Sequence, residues 1–135
     1  MSFRHCSLAA VLAVLFLVGC SGSSDGPTRY RVRGSVTFNG KPVPKGFVTL
    51  EPNSDQGNSG PGGGAEIKNG QYDTGRDAGV VGGSYKVRVV GTDGVATTMS
   101  GEELLDGTPL FAPYEFVFEF PQEATTKDIE VPAGK

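Results

Sequence analysis

Apolar and polar residues alternate along several short stretches of this chain, and the first stretch is the most regular. Tyr30, Val32, Val36 and Phe38 fall on alternate positions, with Arg31, Arg33, Ser35 and Thr37 between them. Side chains of a strand point to opposite faces in turn, so residues 30–38 predict a half-buried strand with one apolar and one wet face. Gly34 occupies the apolar register and leaves room for a facing group or a bulge. Asn39-Gly40 supplies the positive φ angles of a tight turn. Pro42 and Pro44, poor ladder donors, fit a connection. Val48 and Leu50 then resume the alternation, with Thr49 and Glu51 on the other face, and this second strand ends at Pro52.

The same period returns further along. Ile67 and Tyr72 flank Lys68-Asn69-Gly70, which reads as a second hairpin with an Asn-Gly turn. Tyr85, Val87 and Val89 alternate with Lys86 and Arg88. Phe116, Phe118 and Phe120 form an aromatic stripe separated by Val117 and Glu119. Ile129 and Val131 close the chain as an edge-like strand before Pro132. The expected core is Val32, Val36, Phe38, Val48, Leu50, Ile67, Tyr72, Tyr85, Val87, Val89, Phe116, Phe118, Ile129 and Val131. Residues 91–113 are the least sheet-like. Ser100 with Glu103 resembles a capping box, and Leu104 and Leu105 begin one helical turn that Gly107 and Pro109 end. The segment therefore predicts a long loop with a short helix at most, plugged by Leu110 and Phe111, and it is the preferred place for a partner contact.

Composition narrows the class. The chain has 135 residues, 21 Gly, 9 Pro and no Trp, enough for one domain. Many glycines and prolines between short alternating runs favour an all-β fold: a single small antiparallel β-sandwich of about seven strands over residues 29–135. A formal net charge of −3 speaks against nucleic acid, whose phosphates call for a basic patch.

The ordered set of motifs carries a resemblance. The run Gly34-Ser35-Val36, the turn Gly40-Lys41-Pro42-Val43 and the strand Gly46-Phe47-Val48-Thr49-Leu50 come first. Asn69-Gly70-Gln71-Tyr72 and Gly83-Ser84-Tyr85-Lys86-Val87-Arg88-Val89 follow in order. Together they resemble the carboxypeptidase regulatory-like, transthyretin-like domains. The resemblance covers residues 32–131 and implies a Greek-key β-sandwich, Ig-like in layout. It says more about fold than about function. Family members commonly have a Lys-Tyr before the aromatic strand, where this chain has Ala112-Pro113-Tyr114.

The first residues read as an address rather than as structure. Arg4 and His5 give a basic start, residues 8–18 form an apolar run too short to span a bilayer comfortably, and Leu17-Val18-Gly19-Cys20 follows. That ending resembles a bacterial lipobox. It implies a signal peptide over 1–19, lipidation of Cys20, and membrane attachment through that lipid. Ser21 after the cysteine resembles an outer-membrane rather than an inner-membrane sorting signal. Residues 20–28 form a short Ser/Gly tether.

Cleavage before Cys20 would remove His5, the only histidine, and Cys6, leaving Cys20 as the only other cysteine. The domain then has no His base, no Cys nucleophile, no His/Cys metal site and no disulfide. Three weaker chemistries compete with plain surface roles. Asn53, Asp55 and Asn58 offer oxygens for calcium in a Gly-rich loop, but without the spacing or closing Glu of an EF-hand, and a solvated loop is preferred. Asp73 and Asp77 could be drawn as a carboxylate dyad, but no apolar pocket residues accompany them, and a polar turn with a local Asp–Arg pair is preferred. Arg31, Arg33, Lys86 and Arg88 would make a basic strip for an anionic ligand if their strands were neighbours, although a solubilising face is preferred.

These observations predict no enzyme, no cofactor and no metal. They favour a membrane-anchored, extracytoplasmic binding or structural accessory of the cell envelope with a protein or glycan partner. A carbohydrate-binding module is the alternative. An enzyme of the hydroxyisourate hydrolase type, to which the transthyretin resemblance also leads, lacks its His and its C-terminal Tyr-Arg-Gly-Ser here.

Overall fold

The computed structural model describes residues 26–134, so the expected signal peptide, Cys20 and most of the tether lie outside them. The fold is all-β. Its strands are β1 (Val32–Phe38), β2 (Lys41–Pro42), β3 (Lys45–Pro52), β4 (Gly63–Lys68), β5 (Gln71–Asp73), β6 (Gly83–Thr92), β7 (Thr97–Met99), β8 (Glu102–Leu104), β9 (Tyr114–Phe120), β10 (Thr125–Thr126) and β11 (Ile129–Val131). One curled sheet runs β10-β1-β5-β4-β3-β6-β9, with β2 and β11 also on β1, and β7-β8 form a separate hairpin. The sheet folds its apolar face inward as a small sandwich-like body.

Local chemistry explains the turns. Asn39 and Gly40 have φ of 53° and 73°, and Asn69 and Gly70 have 50° and 75°. Two successive positive φ angles match the right-handed twist of the flanking strands, and Asn-Gly adopts them at the least cost. The first turn joins β1 to β2, and the second joins β4 to β5.

One pairing departs from the antiparallel expectation. β10 and β11 run parallel to β1, with Arg33 beside Thr126 and Val36 beside Ile129. The sequence offset is the same at both points, so residues 125–131 behave as one strand interrupted opposite Gly34 and Ser35. A period-2 pattern reports which face a side chain takes, not the direction of its neighbour. At the interruption the chain dips inward. A Cβ on Gly34 would lie 2.1 Å from the Lys127 carbonyl oxygen, so only glycine admits it. That carbonyl accepts a 2.6 Å bond from the Tyr72 hydroxyl, and the Asp128 carboxylate accepts from the Ser35 N–H at 2.8 Å in place of a ladder bond.

The inward residues form one cluster. Val32, Val36, Val48, Leu50, Ile67, Tyr72, Tyr85, Val87, Val89, Ile129 and Val131 are buried as expected. Val43, Ala65, Val80 and Phe120 join them. Val43 lies between two prolines and Val80 in a loop, where no periodicity marks them. Phe38, Phe116 and Phe118 are only partly buried, which corrects their assignment to the core proper. Phe116 and Phe118 sit on β9, at one end of the strand order, where the sheet does not close on itself. The Lys127 ammonium covers them instead, 4.3 Å from the Phe118 ring centre and 5.9 Å from that of Phe116. A cation over an aromatic face contributes about 0.5–1 kcal/mol at an exposed site.

The registers give the body two ends. Tyr30 bridges to Val80, β6 starts at Gly83 beside Phe120, and residues 121–124 lead to Thr125 beside Val32. This is the end at which the chain enters. The Asn-Gly turns, residues 93–113 and the last strand's exit at Val131 lie at the far end.

Val87 is 1 % exposed, between Leu50 of β3 and Phe116 of β9. Val87→Asp should destabilise the domain by more than about 3 kcal/mol, because it buries an unpaired charge. Denaturant unfolding checks this, and a wild-type midpoint would mean that the inward register of β6 is wrong.

Candidate functional site

Two surfaces stand out from the rest, a far-end hairpin and a polar cleft. The hairpin replaces the helical turn expected over residues 100–105. Ser100 has φ 53° and Gly101 φ 85°, a two-residue turn between β7 and β8. A helix N-cap holds its φ in the negative region, so left-handed Ser100 cannot start one. The hairpin stands on a bonded base. The Asp93 carboxylate accepts from the N–H groups of Val95 and Thr108, each at 3.0 Å. The Thr92 hydroxyl donates to the Asp106 carbonyl at 2.5 Å, and the Lys45 ammonium meets the Asp106 carboxylate at 2.5 Å. Leu110 and Phe111 pack against the core beneath, with Phe111 5.1 Å from Phe38 between ring centres. Above this base Val95, Met99 and Leu105 are 64, 52 and 69 % exposed. These apolar side chains stand exposed singly on and beside the braced hairpin, at the end of the body away from the chain's entry.

The cleft lies on the outer face of the strands around β5. It is an open surface hollow of about 900 Å³, lined chiefly by Arg33, Ser35, Lys68, Gln71, Asp73 and Asp128. It is polar and of mixed charge. Asp128 is held below the usual carboxylate range by its bonds from the Ser35 backbone and hydroxyl. Tyr72 is 3 % exposed, so its ring offers no stacking face, and burial raises its phenol well above the ordinary value.

The structure separates several residues that the sequence had grouped. Arg31 and Arg33 sit on or beside β1, and Lys86 and Arg88 on β6, with β5, β4 and β3 between. The basic strip is not formed, because strand order rather than residue type decides adjacency. Lys86 instead pairs with Asp55 at 3.1 Å, and Arg88 lies 3.7 Å from Glu115. The calcium reading meets a different use of its residues. Asn53 is buried and donates to the Ser84 hydroxyl at 3.2 Å, and Asn58 donates to the Ser84 carbonyl at 2.8 Å. These amides pin the Gly-rich loop, with its single 3-10 turn Ser54–Gln56, to the start of β6. Among the described residues no three His, Cys, Asp or Glu side chains gather as a metal cluster.

Asp73 and Asp77 are engaged separately. Asp73 is ion-paired with Arg31, not with its neighbour Arg76. That bond and one from the Gly75 N–H pull its carboxyl down to about 2. A carboxylate so acidic cannot serve as a general acid near neutral pH. The Asp77 contact is through its backbone carbonyl, which accepts from Arg29 at 2.6 Å. Thr74, which carried no signal in the sequence, is buried and accepts from the Val32 N–H at 3.0 Å.

In comparisons with protein-family models, curated proteins and solved structures, nothing matches this chain.

The Arg31–Asp73 pair carries a pH signature. The folded pKa of Asp73 lies below its unfolded value, so its stabilisation is present above roughly pH 4 and is lost as pH falls toward about 2. Asp73→Asn should lower the melting temperature slightly at pH 7 and make it less dependent on pH across that acid window. Thermal melts between pH 7 and pH 2 read this out. Parallel curves for variant and wild type would remove the pair from the account.

Proposed function

We propose that this chain is a non-catalytic lipoprotein of the cell envelope, anchored to a membrane through lipid on Cys20, and that its domain acts as a binding or structural accessory. One observation carries the reading. The chain enters the domain at one end, and the braced hairpin displays Val95, Met99 and Leu105 at the other. A tether of a few residues extends at most about 3.6 Å per residue. A domain held that way keeps its entry end near the bilayer and presents the far end outward. The lipobox-like Leu17-Val18-Gly19-Cys20 supplies the attachment, and two or more acyl chains anchor stably. The outer membrane fits Ser21 better than the inner membrane. The resemblance to carboxypeptidase regulatory-like domains and their Greek-key topology agrees with a module that serves other proteins.

A second reading rests on the polar cleft. Its hydroxyl, amide and charged groups suit the hydrogen-bonding edges of a glycan, so a carbohydrate-binding module is the alternative. Without an exposed aromatic ring in its lining, such a site would work by polar contacts alone.

Cys20→Ala should abolish acyl labelling and move the protein out of the membrane fraction, and unchanged retention would refute the anchor. Cross-linking on intact cells should capture a stoichiometric protein with the wild type and lose it with Met99→Ser/Leu105→Ser. Retention by isolated envelope polysaccharide, lost with Gln71→Ala, would favour the glycan reading.

A further inference from the structure

Among the described residues β9 is the end strand of the sheet and pairs only with β6. Among the described residues no backbone hydrogen bond reaches its other edge. The strand is seven residues long, carries no proline, and has no covering loop bonded to it. A free edge of that length is a template for another strand, and proteins that leave such an edge unused shorten, kink, cover or charge it; of these β9 shows charge, in Glu115 and Glu119. The opposite end of the sheet differs, since β10 and β11 are two and three residues long and interrupted at 127–128.

Side chains along β9 describe what would fit. Its sequence Tyr114-Glu115-Phe116-Val117-Phe118-Glu119-Phe120 is nearly symmetric about Val117. In an antiparallel pair of two copies centred on Val117, Glu115 of each copy would oppose Glu119 of the other. Like charges directly opposite destabilise a strand pair, so this edge is built against its own copy. On the outward face Val117 is 55 % exposed, flanked by the two exposed glutamates. Arg88 approaches only Glu115, at 3.7 Å, and no ion pair engages Glu119 among the described residues. On the inward face Phe116 and Phe118 are covered at the seam by the flexible Lys127 side chain, which can swing aside without breaking a backbone bond.

We propose that the free edge of β9 is a docking site for an extended strand of a partner protein, one that carries Lys or Arg opposite Glu115 and Glu119 and apolar side chains toward Phe116 and Phe118. Backbone hydrogen bonds would supply affinity, and the alternate charged and apolar positions would supply selection. The site gives the accessory reading a partner chemistry and a second surface, apart from the far-end hairpin. It stands whether or not Cys20 carries a lipid.

The test uses the full chain and a capped heptapeptide of alternating Lys and Val, with hydrogen exchange as readout. In the free protein, alternate amides of β9 exchange fast at the open edge. The peptide should protect those amides at least tenfold, and the protection should weaken as salt rises. A peptide of alternating Glu and Val should not protect them, and Glu115→Lys/Glu119→Lys should reverse that preference. Both side chains are exposed, so the fold should survive, as a thermal melt will show. Glu119→Lys alone should make the edge self-complementary, and sedimentation should show it dimerising at concentrations where the wild type is monomeric. The proposal is overturned by β9 amides left unprotected, by equal protection from both peptides, or by a Glu119→Lys chain as monomeric as the wild type. A wild-type dimer with protected β9 amides would also overturn it, since the occupant would then be a second copy.

Discussion

The structure depends on β1 being held along both edges at once. On one side it pairs antiparallel with β5 and β2, and on the other it pairs parallel with residues 125–131. This ties the first strand of the domain to its last, and the intervening chain must curl to let that happen. The contact is possible because Gly34 has no side chain where the Lys127 carbonyl comes in. That partly buried carbonyl accepts from the Tyr72 hydroxyl of the nearby β5. Gly34, Tyr72 and Lys127 therefore form one interlock: a missing side chain, a donor and an acceptor. Any residue larger than glycine at 34 would push the last strand away from β1.

That interlock also shapes the surfaces. Because the chain dips at 127–128, the Lys127 side chain is directed across the seam to the rings of β9. The seam is thereby covered by a side chain rather than sealed by a ladder. β9 keeps an unpaired edge while its aromatic stripe still contributes to the core through Phe120, which meets Tyr85 edge-on with ring centres 5.6 Å apart. The polar cleft lies on the outer face over β1, β5 and β4. The far-end hairpin is independent of both, since its bracing comes from Asp93, Asp106 and Lys45.

Electrostatics here is local and mostly structural. Arg31 with Asp73, Lys86 with Asp55 and Lys45 with Asp106 each join segments far apart in sequence. Exposed pairs of this kind contribute little individually. They mark where distant segments meet once the sheet has formed. Pairing with Arg31 also holds the Asp73 carboxyl well below the usual carboxylate range.

Alternation along 30–38, 83–90 and 114–120 was enough to assign strands and their inward faces, and Asn-Gly was enough to place two turns. Those are local properties, set by pleat geometry and by the φ angles that Asn and Gly tolerate. Even the special role of Gly34 was legible as a vacancy in an apolar register. The hairpin at 97–104 was not, because Ser100-Gly101 fits a helix start as well as a two-residue turn until the backbone sign of φ is known. Which strands neighbour each other was equally beyond the sequence. The basic strip failed, and the parallel partner of β1 went unforeseen, because period-2 patterning fixes a face and leaves order and direction open. The burial of Val43 and Val80, the partner of Asp73 and the open edge of β9 follow from that order. They belong to the tertiary structure alone, since each depends on segments brought together only when the sheet curls.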